Sequence, residues 1–117
     1  MQMLDNEKYV TIILGSIFVI VGLILYYFPP KKINYLYGYR TKNSMRNLER
    51  WTFAQRHSAK LMMCCGIVLL ITAIAGIILN INDSIMKIVG LSELIILVIF
   101  LFIKTETDIN RKFGKIV

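Results

Sequence analysis

Residues 61–81, LMMCCGIVLLITAIAGIILNI, carry no charged side chain, and their reading decides the fold. Crossing the roughly 30 Å hydrocarbon core of a bilayer takes about 20 apolar residues in a helix. Backbone amides in lipid have no water to bond, so a run of this length must be helical there. Tyr9 to Phe28 is a second uncharged run. Ile85 to Ile103 is a third long apolar run, but it carries Lys87 near one end and Glu93 near its middle. Lys87 can extend its ammonium to the interface along its own methylenes, and an acid inside the membrane is costly rather than forbidden. The third run therefore reads as a span as well.

A soluble fold is a poor alternative. In a chain of 117 residues that is 56% hydrophobic, polar faces would be needed to cover a water-facing core, and these runs are apolar all round. The segment Met1–Lys8 holds Asp5 and Glu7 against a single Lys. With no small-residue cleavage pattern after it, the first run is expected to stay as a span rather than leave as a signal peptide. The expected architecture is an all-α membrane protein with one domain over residues 1–117. Its spans lie at about 9–28, 61–81 and 85–103, with a loop at 29–60 and a tail at 104–117.

Charge sets the expected orientation. The loop holds Lys31, Lys32, Arg40, Lys42, Arg46, Arg50, Arg56 and Lys60 against Glu49 alone. The tail holds Lys104, Arg111, Lys112 and Lys115 against Glu106 and Asp108. The other connections are poor in base. Basic residues are retained on the cytoplasmic side, which places loop and tail inside and the N-terminus outside, in agreement with three spans. The net charge of +7 is accounted for by this bias and by attraction to anionic lipid, so no direct nucleic-acid role is expected.

Within the loop, Pro29–Pro30 should end the first helix, and Gly38 permits a tight turn or a close backbone approach. Ser44 can cap a new helix through Met45, Leu48, Trp51/Thr52, Gln55 and Ala59, running on toward the second span. Its apolar residues recur at three- and four-residue steps, which predicts an amphipathic cytoplasmic helix against the head groups. Gly15 and Gly22 in the first span, and Thr72 and Gly76 in the second, read as close-packing positions or as a homodimer surface.

Catalytic and metal chemistry find little support. There is no Ser/His/Asp set, paired carboxylate or glycine-rich phosphate loop, and His57 stands alone. Cys64 and Cys65 are adjacent, outside any CxxC or Cys/His spacing. They read as small apolar fillers, with redox chemistry or palmitoylation as the other reading. No cofactor, metal or enzymatic activity is expected.

The run Tyr37-Gly38-Tyr39-Arg40-Thr41-x-x-Ser44-Met45-x-Asn47-x-x-x-Trp51-x-x-Ala54-Gln55 resembles the signature of the SdpI family of bacterial membrane proteins. Thr105-Glu106-x-x-Ile109-x-x-x-Phe113-Gly114 resembles that family's ending. The family is named for an immunity protein against a secreted, membrane-active toxin, a longer chain with further spans ahead of the shared module. This sequence resembles a short form carrying that module. The resemblance implies a non-enzymatic protein of the bacterial cytoplasmic membrane, giving immunity to a peptide toxin or sensing it. It also implies capture of a cytosolic repressor, for which the basic loop is a suitable dock.

The expected ligand- or partner-binding residues are Tyr37, Gly38, Tyr39, Arg40, Thr41, Ser44, Asn47, Trp51 and Glu93. Arg40 suits bidentate binding of an acidic group or phosphate, or a structural pairing with Glu49 or helix carbonyls. Trp51 reads as an interfacial anchor or a partner contact. Ser44 and Asn47 read as organisers of the turn and helix start that can also touch a ligand. Glu93 is either a functional intramembrane acid or a neutral one bonded to Thr72 or a backbone carbonyl. The alternative function is a small accessory or scaffold protein whose loop binds anionic lipid or a membrane partner.

Overall fold

A computed structural model describes residues 9–115. The lead segment Met1–Lys8 and the last two residues of the tail lie outside it. Among the described residues there are three α-helices and no strand: α1 Val10–Tyr27, α2 Leu48–Ile78 and α3 Asp83–Phe113. Each is long and apolar enough to cross a membrane, and only 17–28% of their most apolar windows is buried inside the protein. Ile71, Ile78, Ile88, Ile96 and Ile103 are among the large apolar side chains turned outward. So much exposed apolar surface is stable against lipid and unstable against water.

The helix boundaries follow from local chemistry. α1 stops just ahead of Pro29–Pro30. α2 ends in a Schellman turn: Asn80 takes a left-handed φ of 55°, Ile81 N–H donates to the Gly76 carbonyl at 3.0 Å, and Asn80 N–H donates to that of Ile77. α3 begins at once, because the Asn82 side chain accepts from the backbone N–H of Ser84 and Ile85.

α1 packs mainly along α2, and α3 packs on α2 while also touching α1, where Gly90 faces Thr11. Glycines let the first pair approach. A Cβ on Gly15 would sit 2.9 Å from the Gly66 carbonyl, and one on Gly66 would sit 2.8 Å from the Gly15 carbonyl. Gly22 meets Ala59 and Met63 in the same way, so Gly15 and Gly22 share one packed face, as their spacing predicts.

The amphipathic helix expected in the loop is not shown as an element of its own. Residues 48–60 are instead the first turns of α2, a continuous helix of 31 residues. Its cap is Asn47, whose side chain accepts from Arg50 N–H, and not Ser44. The inner face also differs from the expected one: Trp51, Ala54, Gln55 and Ser58 are buried, whereas Leu48 and Thr52 are exposed. α3 likewise runs past its apolar stretch to Phe113. Loop and tail thus meet at one end of the bundle, where the best-buried cluster gathers Tyr39, Ala54, Cys65, Leu101 and Ile109.

Candidate functional site

The loop is irregular in backbone but closely tied down. The Asn34 side chain accepts from Leu36 and Tyr37 N–H, making a turn that carries the chain back toward α1. The Tyr37 hydroxyl donates to the Phe28 carbonyl at 2.8 Å. Gly38 follows with φ of 102°, a conformation that disfavours any side chain. A Cβ there would also collide with the Gln55 amide and Pro30.

The flat approach at Gly38 lets Gln55 treat the loop as a strand would. Its side-chain oxygen accepts from Tyr39 N–H at 2.6 Å, and its nitrogen donates to the Tyr39 carbonyl at 2.7 Å. Gln55 is fully buried, so both halves of the amide must be satisfied there, and they are. Trp51 is also fully buried, and its indole N–H donates to the Pro30 carbonyl at 2.7 Å. Trp51 is therefore a strut between α2 and the end of α1, not the interfacial anchor that its position suggested.

Glu106, on the extension of α3, receives the next two motif residues. The Tyr39 hydroxyl donates to Glu106 Oε2 at 2.7 Å and the Thr41 hydroxyl donates to the same oxygen at 3.0 Å. Burial first, then the bond and the charge of Glu106, push the Tyr39 phenol well above its ordinary pKa. Thr41 and Ser44 bind one another reciprocally: Thr41 N–H donates to Ser44 Oγ and Ser44 N–H to Thr41 Oγ1. Buried Ser44 thus shapes this turn.

Arg50 closes the end of the bundle. Its guanidinium donates to Asn43 Oδ1 at 2.6 Å and to the carbonyls of Phe113 and Gly114 at 3.2 and 2.8 Å. A buried cation without a carboxylate is tolerated here because it faces the negative end of the α3 dipole and its last carbonyls. Asn43 also donates to Asn110 Oδ1. Beside this network, His57 Nε2 meets Asp108 Oδ2 at 2.6 Å and stacks on Phe53. Burial would raise the Asp108 carboxyl, but hydrogen bonds from His57 and Lys104 outweigh it and hold the pKa below the ordinary value.

One motif residue stands apart. Arg40 is exposed, and among the described residues it makes no hydrogen bond or ion pair, with Glu49 or any helix carbonyl. It lines a crevice of about 320 Å³ together with Phe18, Val21, Leu25, Leu101 and Phe102 and with Tyr37 and Tyr39. Its lining is mostly apolar with Arg40 as its cation, a combination suited to an amphipathic guest.

The expected residues therefore fall into three groups. Tyr39, Thr41, Ser44, Asn47 and Trp51 hold the loop to the helices around Gly38. Arg40 and Tyr37 face the crevice. Glu93 lies elsewhere, within α3, where its Oε1 is 3.0 Å from the Thr72 hydroxyl. Cys65 is buried and Cys64 exposed, both as free thiols. Sequence reasoning missed the roles of Gln55, Glu106, Arg50 and the His57–Asp108 pair, although Gln55 and Glu106 stood within the two motifs.

The loop motif, α2 and most of α3 lie within residues 31–104, which match the SdpI/YfhL protein family. The chain belongs to this family. Among curated proteins, it is similar to the uncharacterized protein YfhL of Bacillus subtilis (strain 168), with 40% identity over 75 residues. That stretch is 64% of this chain and 66% of the relative. No solved structure matches. The SdpI/YfhL match ends at residue 104, so Glu106 and the carbonyls that hold Arg50 lie just beyond it.

Proposed function

We propose that this SdpI/YfhL protein confers immunity to a secreted, membrane-active peptide, or senses it, with the Arg40 crevice as its receptor element. The observation that carries this reading is an unpaired, exposed guanidinium lining a largely apolar crevice between the spans. A membrane-embedded peptide would place an apolar side chain among Phe18, Leu101 and Phe102, and an acidic group on Arg40.

Arg40 is set between two clamped neighbours, Tyr39 on Gln55 and Thr41 on Glu106. A guest that moved the spans would therefore move the loop with them. Basic residues are kept inside, so loop and tail face the cytoplasm of a bacterial cell and the N-terminus faces out. In that orientation Lys42 and Arg46, both exposed, offer a cytosolic repressor a surface whose position reports occupancy.

The test is survival of cells lacking this protein when challenged with peptides secreted by its source organism. Wild type should protect, and Arg40→Ala at equal membrane abundance should protect at least tenfold less. Equal protection by Arg40→Ala would remove the crevice from the mechanism, and no protection by wild type would remove the immunity reading.

A further inference from the structure

We propose that the outer face of the α2 extension is a binding site for the head group of an anionic phospholipid. The site is a groove of about 860 Å³ bounded by the Pro29–Lys31 turn, the α2 extension and the end of α3. Its floor is apolar, with Leu48, Phe53 and Phe113 among its lining residues. Its charged lining comprises Lys31, Arg56, Lys60 and Lys112, with Glu49 as the acid among them and His57 already held by Asp108.

Three of the four cations are placed by aromatic rings without being neutralised. Arg56 and Lys60 lie over the Tyr26 ring, at 5.3 and 5.9 Å from its centre, and Lys112 lies 4.7 Å over Phe53. None of the four forms an ion pair among the described residues. An aromatic face restrains a cation while leaving its N–H groups free to donate. Such an arrangement is complementary to a phosphate, which accepts several charge-assisted hydrogen bonds at once.

Depth selects the source of that phosphate. Lys60 immediately precedes the uncharged run that begins at Leu61, and Tyr26 lies in the last turn of α1. The cations therefore stand where the helices enter lipid. Below Lys60, Cys64, Ile67 and Ile71 follow at three- and four-residue steps and are all exposed, so an apolar strip continues from the groove for acyl chains. Glu49 sits at the far end, about 16 Å along the helix from Lys60, where it would repel a longer acidic partner. A diacyl lipid fits this gradient from apolar strip to cationic groove better than an acidic peptide does.

The inference does not rest on the toxin reading, since lipid retention is measured with no peptide present. The experiment is native mass spectrometry of the full chain in detergent, titrated with phosphatidylglycerol or phosphatidylcholine. Phosphatidylglycerol should be retained preferentially. The double variant Arg56→Gln/Lys60→Gln should weaken that retention roughly twenty-fivefold, at about fivefold for each charge removed. Lys42→Gln/Arg46→Gln, an equal charge change outside the groove, should stay within about twofold of wild type. Arg56→Lys/Lys60→Arg should retain binding, which separates the site from a folding defect. Equal retention of the two lipids, or equal loss in the two Gln pairs, would overturn the proposal. Binding of a poly-glutamate peptide that depends on Arg56 and Lys60, without retention of phosphatidylglycerol, would also overturn it, in favour of an acidic protein partner.

Discussion

The Tyr39 hydroxyl donates to Glu106 at 2.7 Å, joining the loop to the α3 extension across 67 positions of sequence. On its backbone side Tyr39 is held by Gln55 of α2. A single loop residue therefore ties together two helices whose apolar lengths share a much simpler contact. The polar ends of α2 and α3 and the loop motif form one hydrogen-bonded unit at one end of the bundle.

Tyr39→Phe removes one of the two hydroxyls that donate to Glu106 Oε2 while keeping the ring. A hydrogen bond to a charged group contributes about 1.5–3 kcal/mol, and thermal unfolding in detergent should show a loss of that order. Glu106→Gln keeps a carbonyl acceptor and should lose less, whereas Glu106→Leu, which strands both donors, should lose more. A Tyr39→Phe protein as stable as wild type would mean that the bond adds nothing.

The spans were legible because the uncharged length of residues 61–81 leaves helix as the only satisfied backbone in lipid. The breaks at Pro29–Pro30 and around Asn80–Ser84 were legible for similarly local reasons. The face of residues 48–60 was not. Counting Leu48 and Trp51 as one apolar stripe assumes that the surroundings are lipid, yet this segment packs on its own loop through Gln55 and Trp51. Gln55 has no periodicity of its own, and its role depends on Gly38, sixteen residues earlier. Glu106 could have been paired with the loop only by asking why two separate motifs share one chain. Arg40 was singled out from its motif, but its isolation from Glu49 is a matter of three-dimensional placement.

Glycine positions differ in what surrounds them, so equal substitutions should have unequal effects. At Gly15 a methyl would press on the Gly66 carbonyl at 2.9 Å, which is backbone and cannot yield without moving a helix. At Gly76 the neighbour is the end of the Met86 side chain, which is flexible and can turn aside. Overpacking costs about 1–3 kcal/mol. Gly15→Ala should fall in that range by detergent unfolding, and Gly76→Ala should fall below it. The reverse order would show that α1 and α2 are not packed at Gly15 and Gly66.

Acid should loosen the end of the bundle through Asp108. Its carboxyl sits below the ordinary value of 3.8 because His57 and Lys104 donate to it. A carboxyl with a depressed folded pKa stabilises fully above the unfolded value, and that contribution fades as pH falls through the folded one. The unfolding temperature should therefore hold steady from neutral pH to about pH 5 and drop below about pH 4. Asp108→Asn should lower the neutral-pH value and flatten that drop. An unchanged acid limb in the Asn variant would assign the transition to other carboxylates.

Glu93 and Thr72 supply the last test, in the middle of the apolar layer. The Thr72 hydroxyl lies 3.0 Å from Glu93 Oε1 and 3.1 Å from the Val68 carbonyl, yet it has one proton for two acceptors. Glu93→Gln changes that balance. The new amide N–H can donate to the Thr72 oxygen while Thr72 donates to Val68, so each group gains a complementary partner. The variant should accumulate in the membrane as wild type does, unfold within about 0.5 kcal/mol of it or above it, and protect cells equally. Glu93→Gln that accumulated normally but lost protection would show that the carboxyl serves through its charge or its proton rather than through its bond to Thr72. Thr72→Val should have the opposite profile, with lower stability because an acidic group is left without its donor in a layer that offers no water.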